Sequence, residues 1–193
     1  DYSPGLRGVV AGETAISTVG MEGTSLRYRG YDAIELTKNS TYEAVASLVI
    51  NDSLDEADYK KSFSKYYLQI NKDKNLNQLL EEVKEKLSPM DVIRTVVSYM
   101  GELTTLMKKK LDNQDKVELT ARINATVCYI IASYHKDDCD ELDDSYLVAS
   151  SMLPNNANKE KIEALDDMLI LYAEHGFNAS TFAARVTAST RSD

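Results

Sequence analysis

Residues 169–190 read LILYAEHGFNASTFAARVTAST, and their pattern decides how the chain folds around its most telling side chain. An apolar run, Met168 to Ala173, has helical character and leads into His175, one of two histidines in the chain. Gly176 follows. It lacks a Cβ, so it tolerates positive φ and suits the end of a helix. Asn178 can offer its side-chain oxygen to a free N–H and so open a second helix, Ala179 to about Thr190. His175 is therefore expected at a break between two helices. Such a break leaves backbone polar groups free to meet a ligand.

Upstream, the pattern is again helical. A helix from about Lys159 is expected to lead into His175, after a short one at Tyr146 to Leu153 and a turn at Pro154-Asn155-Asn156. Residues 114–135 become apolar on most sides after Ile123, which predicts a helix buried in the core or against a partner. Lys108 to Asn113 reads as a solvated link, and Lys136 to Asp144 as an acidic loop or helix start. Ser88-Pro89-Met90-Asp91 supplies an N-cap, a proline at the first helical position and an acid in the first turn. That helix is expected to reach about Leu106. Leu76, Leu79, Leu80, Val83 and Leu87 keep the 3–4 spacing of an amphipathic helix. Ser40 to Glu43 and Ser53 to Glu56 read as capping boxes, opening helices Tyr42–Ile50 and one that runs to about Ile70. Six of the eight glycines lie between residues 5 and 31. There, 14–19 and 25–29 are short, partly alternating runs, and Gly20 to Gly23 suits the turn of a small β-hairpin. The fold class is mainly α, with eight or so helices and one hairpin.

Composition narrows the function. The net charge of −9 argues against a general nucleic-acid or anionic-membrane binder, whose footprint is basic. The apolar share of 43% suffices for a core, and no apolar run reaches the roughly 18 residues of a membrane span. Cys128 lies in an apolar run and reads as core, whereas Cys139 lies in an acidic one. Two cysteines make no disulfide framework, which fits a reducing compartment. His135 and Cys139 are too few ligands for zinc. Gly5, Gly8 and Gly12 do not lie between a strand and a helix, so they form no phosphate loop. Glu13, Asp32 and Asp91 have no evident acid–base partner.

Three blocks carry a family resemblance. They are GLRGVVAGETAIST–VG–EG–SLRYRGYD between residues 5 and 32, Pro89-Met90-Asp91-Val92-Ile93-Arg94-Thr95, and AEH-x-x-NAST-x-x-x-R from Ala173. In this order and spacing they resemble the citrate synthase family over nearly the whole chain. The resemblance implies a multi-helical large domain, with residues 1–193 as its N-terminal part. It implies acyl transfer from acetyl-CoA to oxaloacetate, giving citrate and CoA, as in the tricarboxylic acid cycle. An aspartate takes a methyl proton from acetyl-CoA, a histidine stabilises the enol, and a small domain closes over the site. The groups that move protons lie in segments expected downstream of Asp193, so no catalytic residue is expected here and this chain alone is expected to be inactive. No metal or redox cofactor is implied; acetyl-CoA enters as substrate. A homodimer is implied, with helices at Met90–Leu106 and Val117–Tyr134 near its interface, in a cytoplasmic enzyme. A 2-methylcitrate synthase using propionyl-CoA is the close alternative. A non-catalytic helical dimerisation fragment is the alternative of another class.

The same resemblance assigns candidate residues. His175 corresponds to a histidine that hydrogen-bonds oxaloacetate; on residues alone it reads as a helix C-cap or a half-buried polar group. On residues alone Asn178 and Ser180 read as capping residues; with the resemblance both join His175 as substrate-binding candidates, the serine lying near the catalytic histidine of a later segment. Arg7 resembles an arginine that binds coenzyme A phosphates through its planar fork, or is an exposed side chain of the N-terminus. Arg185 reads as structural, as do Arg27 and Arg29. Three positions depart from the family pattern: Asp52-Ser53-Leu54-Asp55 lacks a glycine and a proline, Ser88 replaces a histidine, and Gly176 replaces a glutamate.

Overall fold

A computed structural model describes residues 12–20, 25–100, 111–136, 139 and 141–190. Arg7, most of the hairpin turn at Gly20–Gly23 and the lysines 108–110 lie outside the described residues. The architecture is mostly helical with one small sheet. Strands β1 (Ser17–Thr18), β2 (Arg27–Tyr28) and β3 (Tyr31–Asp32) pair antiparallel in that order, with Ser17 opposite Tyr28 and Tyr28 opposite Tyr31. The sheet thus holds the expected hairpin and a second one. The second turns on Arg29 (φ 48°) and Gly30 (φ 90°), the left-handed pair that matches strand twist. Arg29 is held there by its own contacts, its N–H to Ile16 O at 2.8 Å and its guanidinium to Val49 O at 3.1 Å.

Nine helices follow among the described residues: α1 (Ala33–Asn39), α2 (Tyr42–Asn51), α3 (Ala57–Lys72), α4 (Lys74–Lys84), α5 (Pro89–Tyr99), α6 (Asn113–Ala132), α7 (Leu147–Met152), α8 (Lys159–Leu171) and α9 (Ala179–Ser189). Ser88 caps α5 as expected, with Pro89 in its first turn. The helix runs to Tyr99, with the Met100 N–H still directed to the Val96 and Ser98 carbonyls, and its expected reach to Leu106 lies outside the described residues. Neither expected capping box forms. Thr41, not Ser40, caps α2, accepting from Ala44 N–H at 3.3 Å. Glu43 instead turns inward and accepts from Val148 N–H at 2.6 Å, tying α2 to the start of α7. α3 begins at Ala57, past the Ser53 box, and Asp55 rather than Ser53 accepts from its first N–H at 3.0 Å. A true box opens α6, where Asp112 and Asp115 exchange bonds.

The main core lies between α3 and α6. Tyr59, Phe63 and Tyr67 stack down one face of α3, with ring centroids 6.4 and 5.8 Å apart, and Tyr67 meets Tyr129 edge-on at 5.5 Å. Ala121 and Ala125 of α6, both fully buried, are small enough to admit rings at that face. The buried tyrosine hydroxyls find partners: Asn124 donates to Tyr59 Oη at 2.7 Å, and Tyr129 bonds Asn71 and Asn77 at 3.0 and 2.7 Å. Cys128, at 4% exposure, sits in this core as expected; burial pushes its thiol up to about 12, and neither cysteine forms a disulfide among the described residues. A smaller cluster, Tyr28, Ala33, Leu36, Val45, Leu48 and Ile170, joins the sheet to α1, α2 and the end of α8. That cluster positions the break before α9.

Candidate functional site

Helix α8 does not reach His175. It ends at Leu171, and Tyr172 closes it by directing its N–H to Ile170 and Met168 carbonyls. Gly176 therefore caps no helix. It lies inside the connecting turn with φ 76°, and Phe177 beside it has φ 34°. A non-glycine residue in that region needs support from its surroundings. Phe177 has it from two residues. Its ring lies so close to Gly12 that a Cβ there would come within 3.3 Å, and the Arg185 guanidinium sits over the ring, 4.7 Å from its centre. Arg185 is thus a clamp on the turn, in keeping with a structural reading.

Asn178 opens α9, its Oδ1 accepting from Thr181 N–H at 2.9 Å. His175, Asn178 and Ser180 line one open hollow of ≈ 350 Å³, together with Tyr172 and Ala179. The His175 ring is exposed to it, and Tyr172 is 86% exposed at its edge. The first turn of α9 carries no acid. Its partial positive end thus meets no acid of its own first turn and lies beside an imidazole that can donate an N–H, an arrangement suited to a small anion.

Several residues that shape this hollow lie inside the three family blocks, but sequence alone gives them no role. Glu174 Oε1 accepts from the N–H groups of His175 (3.1 Å) and Gly176 (2.6 Å). Tyr28, fully buried on β2, donates its hydroxyl to Ile170 O at 2.8 Å. Burial raises the pKa of that phenol, and the backbone N–H groups of Glu174 and Ala173 oppose the rise. The Ser17 hydroxyl on β1 is buried with no hydrogen-bond partner among the described residues, 3.6 Å from where a Cβ on Gly176 would stand.

A larger open hollow of ≈ 470 Å³ lies beside the middle of α8, lined by Lys38, Thr41, Tyr146, Glu163, Asp166 and Asp167 among others. Its Asp166 accepts from Tyr42 N–H with both oxygens, at 3.1 and 3.2 Å, and so anchors the start of α2 from a remote helix. Burial, with Glu43, Asp167 and Glu56 nearby, pushes that carboxyl up to about 7. Glu43 is also raised, mainly by burial. The carboxylates considered from sequence take structural parts. Asp32 caps α1, and Asp91 bonds Ser88 and Arg94 at 2.8 and 2.7 Å. Among the described residues no three His, Cys, Asp or Glu side chains converge to hold a metal.

Comparison with known proteins points one way. The family model for citrate synthase, C-terminal domain, matches residues 5–193. A 2-methylcitrate synthase of Shewanella oneidensis is 38% identical over 98% of this chain, and a citrate synthase of Haloferax volcanii is 32% identical over 98%. The chain spans about half the length of these relatives, 52% and 53%. The citrate synthase of Thermoplasma acidophilum, solved with oxaloacetate and carboxymethyl coenzyme A, superposes with a TM-score of 0.79 over 100% of this chain and 53% of its own, at 23% identity.

Proposed function

We propose, because the chain belongs to the citrate synthase family, that residues 1–193 form the N-terminal part of the large domain of an acyltransferase that condenses acetyl-CoA with oxaloacetate and water to give citrate and CoA. The observation that supports this reading most is the hollow at the α8–α9 break, where an exposed imidazole faces an acid-free helix N-terminus. Oxaloacetate is a dicarboxylate. His175 would donate to it, and the α9 N-terminus would favour its charge. Asn178 spends its side-chain oxygen on the cap, and its role is to hold that N-terminus in place. Ser180, exposed in the first turn of α9 on the same lip, stands where it can hydrogen-bond the substrate or orient a histidine from the remainder of the enzyme. Arg7 is proposed as a coenzyme A phosphate ligand.

The acid and base that move protons are proposed to lie outside this chain, in a small domain that closes over the substrate. The reaction needs no metal or redox cofactor, since proton transfer and enol stabilisation suffice. We place the enzyme in the cytoplasm and in the tricarboxylic acid cycle. We assign it a homodimer built near α5 and α6, where Met90 and Tyr99 present apolar surface.

A second reading has an observation in its favour: the relatives that are 38% and 35% identical are named 2-methylcitrate synthases. These enzymes would differ in accommodating propionyl-CoA, and one methylene is worth about 1–3 kcal/mol in a pocket. Steady-state kcat/KM of the full-length enzyme with acetyl-CoA and with propionyl-CoA separates them. A preference for acetyl-CoA is expected. A preference for propionyl-CoA replaces the first reading with the second, and turnover with neither overturns both. The 193-residue chain alone is expected to give no turnover.

A further inference from the structure

The turn that presents His175 is fixed by two groups to which sequence alone assigns no role: Glu174, its neighbour in the same block, and Tyr28 of the N-terminal block. Neither the His175 nor the Gly176 N–H can reach a helix carbonyl, because α8 has already ended. Glu174 supplies the missing acceptor with one oxygen at 3.1 and 2.6 Å. Bonds from N–H to a carboxylate are among the stronger protein hydrogen bonds. They also keep this negative charge occupied next to a hollow suited to anions. From behind, Tyr28 grips the last turn of α8 through Ile170 O, while the N–H groups of Ala173 and Glu174 face the same phenol oxygen. Tyr28 has no exposed surface, so it does not reach the hollow itself.

We propose that Glu174 and Tyr28 are positioning residues for substrate binding at His175: the Glu174 carboxylate sets the direction of the imidazole by holding two consecutive N–H groups, and the Tyr28 hydroxyl sets the height of the turn on the end of α8. This rests on the reading of His175 as an oxaloacetate ligand. It assigns the β-sheet a part in substrate affinity rather than in fold alone.

The test uses the full-length protein and oxaloacetate, with binding measured by calorimetry and kinetics by CoA release. Glu174→Ala is expected to weaken oxaloacetate binding and raise its KM about tenfold, the effect of losing one or two net hydrogen bonds. Its KM for acyl-CoA and its kcat at saturation are expected to stay unchanged. Glu174→Gln keeps an acceptor oxygen and is expected to restore most of the affinity. Tyr28→Phe, which keeps the ring and removes the hydroxyl, is expected to show a smaller loss of the same kind. Wild-type affinity in Glu174→Ala overturns the proposal, as does a Gln variant no better than the Ala variant, or a loss that merely tracks thermal unfolding. His175→Ala separates the two layers. If it binds oxaloacetate as tightly as wild type, the site reading fails and this inference falls with it. If it loses binding while Glu174→Ala does not, only the positioning role fails.

Discussion

Helices α6 and α9 show how differently two parts of the same chain are built. α6 buries Val117, Ala121, Ala125, Thr126, Cys128, Tyr129, Ile130 and Ala132, whereas α9 buries no residue. Yet α9 is not polar: Phe182 and Val186 lie on its open surface, as do Met168, Leu171 and Tyr172 at the end of α8. The α3–α6 body has its own closed core. The His175 end is held by a few directed contacts, namely Tyr28 to Ile170, Glu174 to its own turn and Arg185 over Phe177. Burial is concentrated in one region and the open hollow lies in the other, the separation expected of the proposed site, which has to stay open to a substrate.

The largest expected effect tests that separation directly. Phe63 is fully buried between two stacked tyrosines. Phe63→Ala should cost about 3–5 kcal/mol in urea unfolding of the purified protein, through lost transfer energy and a cavity. Val186→Ala on α9 should stay within about 0.5 kcal/mol, as exposed substitutions do. A cost for Val186→Ala near that of a core valine would break the contrast and show that this face is covered in solution.

Asp166 stands between the two regions and should make their link sensitive to pH. Burial is the main cause of its raised pKa, and Glu43 on α2, its neighbour Asp167 and Glu56 before α3 add like charge. Its ordinary value is 3.8 and its folded value about 7, so the folded state holds the proton more tightly than the unfolded one. The stability this contributes is fully present below the ordinary value and is lost as pH rises through the folded one. Over that window the loss approaches about 1.4 kcal/mol per pH unit. Asp166→Asn keeps an oxygen for Tyr42 N–H and cannot ionise. Compared by urea unfolding from pH 4.5 to 8.5, the variant should gain on wild type as pH rises. A difference that is flat, or that narrows with rising pH, would show that Asp166 is ionised at no cost in the fold.

What the sequence disclosed follows the same division between local and distant causes. Ser88-Pro89 and Asn178 announce helix starts because a cap acts within four residues, and both formed. The buried α6 was legible from its apolar run after Ile123. The approach to His175 was legible only in part: a helix–break–helix exists, but α8 ends at Leu171 and Gly176 serves the turn, not the helix end. Glu43 looked like a capping-box acid, and its true partner, Val148, is 105 residues away. α1 had no expectation attached, although Asp32 is its cap. His175, Asn178 and Ser180 share a hollow because they lie within one turn and the start of one helix. Tyr28, Ser17 and Gly12, which back that turn, come from the far end of the chain; the Tyr28–Ile170 bond spans 142 residues. No periodicity or spacing rule reaches that far.

The smallest expected effect is the sharpest probe of the contrast, because it asks what a cap is worth on a helix with no core to lean on. Asn178 satisfies the Thr181 N–H, and replacing such a cap by alanine costs about 1 kcal/mol. On α5 the equivalent loss, at Ser88, would be shared with the packing of Val92 and Val96. On α9 no buried side chain absorbs it, so the loss should appear as local opening rather than global unfolding. Amide hydrogen exchange in Asn178→Ala should therefore speed up about fivefold along Ala179 to Ala183, in proportion to that cost. The urea midpoint should stay unchanged. Faster exchange spread evenly over α6 as well would mean that the two regions unfold as one unit, and that the division between a closed core and a lightly held site does not extend to their dynamics.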